Sequence, residues 1–162
     1  MSESADSPAA PRRIDVAQAE AAFRAAISNH EQTFGRFFLA RLLGFEISYG
    51  EDSCTVRFEA RDFMFNPQGT LHGGIIALAM DVSMGHFLQH AHGVGSTLEM
   101  KTQYLRALGA GPVRVEGRSL RSGRSICFLE SRLYDGEDRL AAMATATWKL
   151  APGRPGGGQA AG

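Results

Sequence analysis

Little in this chain advertises a staple, a cargo field or an anchor. It has only two cysteines in 162 residues, Cys54 and Cys127, and no CxxC spacing. A disulfide scaffold and a thiol-redox motif therefore have little to build on, and two buried thiols in strand-like runs are the plain reading. Neither sign of charge is in excess, because 17 Lys and Arg balance 17 Asp and Glu. No overall field recruits nucleic acid or a membrane surface, although a local basic patch stays open. The longest apolar run, about residues 74–88, is too short and too interrupted to span a bilayer. The opening residues MSESADSPAAPRRIDVAQ hold no apolar core of a signal peptide. The expectation is a reduced, cytoplasmic protein. There is no GxSxG around Ser83, and the GVG at 93–95 lacks the rest of a dinucleotide fingerprint.

What is present suits one domain with a real core: 44% hydrophobic residues and 21% charged. Residues 1–13 and 151–162 are rich in Ser, Ala, Pro and Gly and read as disordered tails around a domain at 14–150. The alanine-rich run 15–29 predicts a helix with Asp15 as N-cap. Phe34, Phe37, Phe38 and Leu42 fall at helical spacing and predict a second helix over 32–43, stopped by Gly44. The period then changes to two through Phe45, Ile47, Tyr49 and again through Cys54, Val56, Phe58. Four more strand-like runs follow residue 95, joined by LGAGP, RSGRS and YDGED.

Between these runs stands FNPQGTLHGGIIALAMDVSMGHFLQHAHG, residues 65–93. Its helical part is apolar almost all the way round, opens on two glycines, and holds one carboxylate, Asp81. A helix apolar on every side must be enclosed. One sheet of about six strands can enclose it only by curling around it. The fold class expected is α+β, a curved antiparallel sheet wrapped around a long buried helix. His86 and His90, four apart, form a candidate metal pair, but Asp81 is expected on another face of the helix and no third ligand suggests itself.

The spacing N-P-x-G-x-L-H-G-G with an Asp nine positions after the His resembles the hotdog-fold acyl-CoA thioesterases, in particular the phenylacetic-acid-degradation (PaaI-like) branch. The residues are Asn66, Gly69, His72, Gly73, Gly74 and Asp81, followed by TLEMKTQYLRAL, a glycine turn before Arg124, and the closing AAMATATWKL. The likeness covers roughly residues 34–150. It implies hydrolysis of an acyl-CoA with no cofactor, Asp81 acting as base or nucleophile. It also implies that the Gly73 amide polarises the thioester carbonyl, that Gly74 lets substrate approach, and that His72 and Asn66 polarise the carbonyl or orient Asp81 and water. Capping and loop-tying are the alternative for those two. Thr97 aligns with a family position whose hydroxyl helps place water, against the reading of a plain strand threonine. Arg106, Arg121 and Arg124 are candidates for CoA phosphates, or else solvated strand-end charges.

Those roles have a geometric consequence. Nine helical residues rise about 13 Å, whereas a base and an oxyanion donor must both come within about 3 Å of one carbonyl. Asp81 and Gly73 of one chain cannot share a substrate, so a homodimer with antiparallel helices is expected; the resemblance agrees, since it implies a dimer that is often paired again into a tetramer. The competing reading is a non-catalytic acyl-CoA-binding or sensing module on the same fold. A dehydratase or hydratase on this fold would want a His–Asp arrangement of different spacing. Aromatic and medium-chain acyl groups are both compatible with the sequence.

Overall fold

The computed structural model describes residues 14–152. The elements run α1 (Val16–Asn29), α2 (Phe38–Leu42), β1 (Glu46–Tyr49), β2 (Ser53–Ala60), a 3-10 turn (Asp62–Met64), α3 (Gly73–Ala91), β3 (Gly95–Tyr104), β4 (Gly111–Ser122), β5 (Ile126–Tyr134) and β6 (Leu140–Leu150). The two segments expected as tails lie outside the described residues, apart from Ala151 and Pro152.

Six antiparallel strands form one sheet in the order β1-β2-β4-β5-β6-β3. Of the three connections that read as hairpin turns, RSGRS and YDGED join paired neighbours, β4 with β5 and β5 with β6, but LGAGP does not, because β3 and β4 are not adjacent in the sheet. β3 instead crosses over to the far edge and pairs with β6. The inner positions of β2 alternate buried and exposed as period two demands: Cys54, Val56, Phe58 and Ala60 are all buried. α3 lies against that inner face with ten of its residues buried, from Ile76 to Leu88. This is the hotdog arrangement. Closeness of helix to sheet is set by glycine: a Cβ on Gly117 of β4 would stand 2.5 Å from the Ser83 carbonyl carbon of α3. Ser83 Oγ meets Ser131 Oγ of β5 at 2.9 Å and donates to Met80 O at 2.7 Å, so the buried hydroxyls are satisfied. Cys54 and Cys127 are free and fully buried.

Asp15 caps α1 as expected, its Oδ1 accepting from Gln18 N–H at 3.0 Å. The second helix does not run over 32–43. It occupies only Phe38–Leu42, because Gly35 takes φ +76 and breaks the helical path in the middle of the aromatic run. Residues 31–36 close instead into a loop through Glu31 N–H to Arg36 O, 2.8 Å. The stop at Gly44 does hold. With φ +67, its N–H bonds Arg41 O, while Phe45 N–H bonds Ala40 O, the paired contacts of a Schellman cap.

Candidate active site

The first turn of α3 is organised by His72. Its Nδ1 accepts from Gly74 N–H at 2.8 Å, and its carbonyl accepts from Ile75 and Ile76 N–H. Glycine at 74 leaves room for that cap, since a Cβ there would lie 3.0 Å from the His72 ring nitrogen. Among the described residues this leaves the Gly73 N–H as the unpaired donor of the first turn, at the positive end of the helix dipole. Gly73 borders a cleft of about 360 Å³ together with Asn66, Tyr104 and Arg106. The Tyr104 hydroxyl donates to Gly73 O at 3.0 Å.

Asn66 ties the loop that leads into the helix. Its Oδ1 accepts from Gln68 N–H and Thr70 N–H, and its Nδ2 donates to Thr70 Oγ1. Within one chain, then, Asn66 keeps company with Gly73 and not with Asp81.

Asp81 stands eight positions along α3 from Gly73, about 12 Å of helical rise. It lines a separate cleft of about 440 Å³. Thr97 Oγ1 donates to Asp81 Oδ1 at 2.8 Å, from a point where β3 bulges between Thr97 and Glu99. Burial pushes the Asp81 carboxyl above the usual aspartate range, and the Thr97 hydrogen bond pulls it partly back. The result is a more basic carboxylate than a surface aspartate, fixed in orientation by one neighbour.

The other expected residues divide between the two ends of the molecule. Arg106 is exposed at the Gly73 cleft. Arg121, at the end of β4, and Arg124, in the β4–β5 turn, are exposed and border neither cleft.

Asp81 and His86 stand five positions apart on α3, so about 140° apart around it, and both nevertheless line the same cleft. The partner of His86 in the i, i+4 pair, His90, stacks on Tyr49 at 4.5 Å between centroids, while Tyr49 Oη lies 2.8 Å from His86 Nδ1. The pair thus brackets a tyrosine. Among the described residues no group of three His, Cys, Asp or Glu is placed to hold a metal. The sequence reading also missed the loop 32–37 as a wall of this cleft, contributed through Gln32, Thr33, Phe34 and Phe37. The signal was Gly35 inside the aromatic run.

A curved sheet around a central helix, with a glycine-opened helix entrance and one half-buried acid farther along, defines a hotdog-fold protein of the thioesterase type. Residues 68–142 match the model of the Thioesterase superfamily. A solved structure of a conserved protein from Pseudomonas aeruginosa is 32% identical, over 70% of this chain and 93% of that one, with a TM-score of 0.66. A phenylacetic acid degradation-related protein of Ralstonia eutropha JMP134, provisionally named a thioesterase, is 28% identical over 69% and 89%, with a TM-score of 0.65. A Saccharolobus solfataricus protein provisionally named an esterase is 30% identical over 95 residues, and the match spans 57% of this chain and 63% of that relative's length. The chain belongs to the thioesterase superfamily. No helix among the described residues is long and apolar enough to cross a membrane.

Proposed function

We propose that this protein hydrolyses acyl-CoA thioesters with an aromatic or medium-chain acyl group, as a homodimer in which Asp81 of one copy acts on a carbonyl held at the partner's Gly73. The observation that carries the reading is the division of the site: a basic, oriented carboxylate in one cleft and a lone free helix-entrance N–H in another. Neither is useful alone. β3 is an edge strand on which Leu98 and Tyr104 are more than half exposed, a surface that a second copy would cover.

The carbonyl oxygen accepts from Gly73 N–H, which stabilises the charge that grows on it. As general base, Asp81 takes a proton from water while the water oxygen bonds the carbonyl carbon. The tetrahedral oxyanion then collapses, the C–S bond breaks, and the departing CoA thiolate recovers the proton. As nucleophile, the same carboxylate forms an acyl anhydride with release of CoA thiolate, and water then hydrolyses the anhydride. No cofactor enters either route. The exposed arginines are available to CoA phosphates; Arg106 stands nearest the Gly73 end.

The test is release of free thiol from a panel of phenylacetyl-, butanoyl-, octanoyl- and palmitoyl-CoA. We expect turnover of at least one aromatic or medium-chain member, and a loss of about a hundredfold or more in Asp81→Asn. An Asp81→Asn variant within about threefold of wild type, with the wild-type oligomer, would remove Asp81 from the mechanism.

A further inference from the structure

The Asp81 cleft carries two polar groups that hydrolysis as described does not use. His86 is 3% exposed and Trp148 5% exposed, and both line the cleft. His86 Nε2 and Trp148 Nε1 are buried with no hydrogen-bond partner among the described residues. Buried polar groups in folded proteins nearly always find partners, so two orphans on one cleft wall call for a ligand.

Their chemistry can be assigned. The indole nitrogen can only donate. Tyr49 Oη lies 2.8 Å from His86 Nδ1 and makes no other hydrogen bond among the described residues. With the phenol donating to Nδ1, the proton of a neutral ring lies on Nε2. Burial lowers His86 to about 4, so the ring is neutral at pH 7. Both residues line this cleft, and both nitrogens are buried donors. Among the described residues Asp81 is the only formally charged one lining the cleft at that pH, so a carboxylate on the ligand would be buried without a cation and beside a like charge. His86 lies five positions beyond Asp81 on α3, about 7.5 Å of helical rise, or roughly six bonds of an extended acyl chain.

Resting on the acyl-CoA reading of the same cleft, we propose that His86 and Trp148 are specificity-determining donors. They select acyl groups that carry a neutral acceptor oxygen, a ketone or hydroxyl, roughly six bonds from the thioester carbonyl. Tyr49 is the positioning residue that holds His86 in its donor tautomer.

The probe pair is octanoyl-CoA and 7-oxooctanoyl-CoA, which differ by one acceptor-only oxygen at that distance. Wild type should favour the oxo compound by about tenfold in kcat/KM. The ratio, which cancels any general loss of activity, should fall toward one in Trp148→Phe and His86→Phe and by part of the way in Tyr49→Phe. Tyr49 lies on an edge strand and is 44% exposed, so that variant keeps the test open if His86→Phe does not fold. A wild-type ratio at or below one overturns the proposal, as does a ratio unchanged in both Trp148→Phe and Tyr49→Phe. Hydrolysis of octanoyl-CoA without the preference sinks the selectivity alone. A chain that hydrolyses no acyl-CoA of any kind sinks the hydrolase reading and this inference with it.

Discussion

If each active site is split between two chains, two different dead subunits should make a live dimer. The first is Asp81→Ala, which lacks the acid. The second is Gly73→Val, which places a branched side chain over the one free N–H of the helix entrance. The second change should be tolerated structurally: φ at Gly73 is not in the left-handed region, and an added Cβ meets the Tyr104 ring at 3.3–3.5 Å. That ring is 54% exposed and can move by the few tenths of an ångström required. Each variant alone should be nearly inactive. In a twofold-symmetric heterodimer one site collects both defects and the other neither. Random assortment makes half the dimers mixed, and each mixed dimer has one sound site of two, so about a quarter of wild-type activity should return. The assay is thiol release from the best substrate after co-expression with two different affinity tags and tandem purification. Purified heterodimers alone should show about half of wild-type activity per dimer. The split between chains rests on the 12 Å or so of helix between Gly73 and Asp81. Verified heterodimers no more active than the sum of their parents would show that one chain supplies both halves, and the cross-subunit site would be refuted.

Three further outcomes follow from single features. Thr97→Val removes the hydrogen bond that pulls the Asp81 carboxyl down and leaves the burial that pushes it up, so the acid limb of kcat/KM should move to higher pH; an unmoved or lower limb counts against the carboxylate as the active form. The folded state also holds that proton to higher pH than the unfolded chain, so stability falls as pH rises from the ordinary aspartate value through the folded one. Above that window Asp81→Asn should therefore raise Tm. Gly117→Ala should cost roughly 3 kcal/mol in urea unfolding, because its Cβ would meet helix backbone, not a movable side chain, at 2.5–2.7 Å; a loss below about 0.5 kcal/mol would mean that helix and sheet are less tightly fixed than the distances say.

The fold was readable where periodicity and burial coincide. The run from Gly73 to Ala91 admits no solvent face, and an enclosed helix with six strands leaves few ways to close a core. The failure at 32–43 has a single cause. Phe34, Phe37 and Phe38 keep helical spacing, but the left-handed turn at Gly35 carries more weight than the spacing does. Aromatic residues that a helix would have turned to a common core line the Asp81 cleft instead. The site was legible as far as its local part: His72 before two glycines is a capping sequence, and a lone acid in an apolar helix stands out. The Thr97 contact and the arrival of Trp148 at the Asp81 cleft depend on which strand lies next to which, and no spacing along the chain encodes that. Asn66 shows the converse, since its bonds are nearly all to residues within four positions.

The strand order has a consequence for the growing polypeptide. β3 leaves the ribosome directly after α3, but its one neighbour in the sheet is β6, the last strand of the chain, with Thr97 opposite Trp148. Until that final strand exists, β3 has α3 to lie against but no strand to pair with, so the position of the Thr97 hydroxyl beside the aspartate is not yet fixed by the sheet. The acid is thus synthesised early and becomes oriented late. A nascent chain can enclose much of α3 with β2, β4 and β5 while its reactive centre remains unassembled. Under the proposed mechanism, hydrolytic competence needs the completed sheet before it needs the partner chain, so a truncated product carries the acid without its hydrogen-bond donor in place.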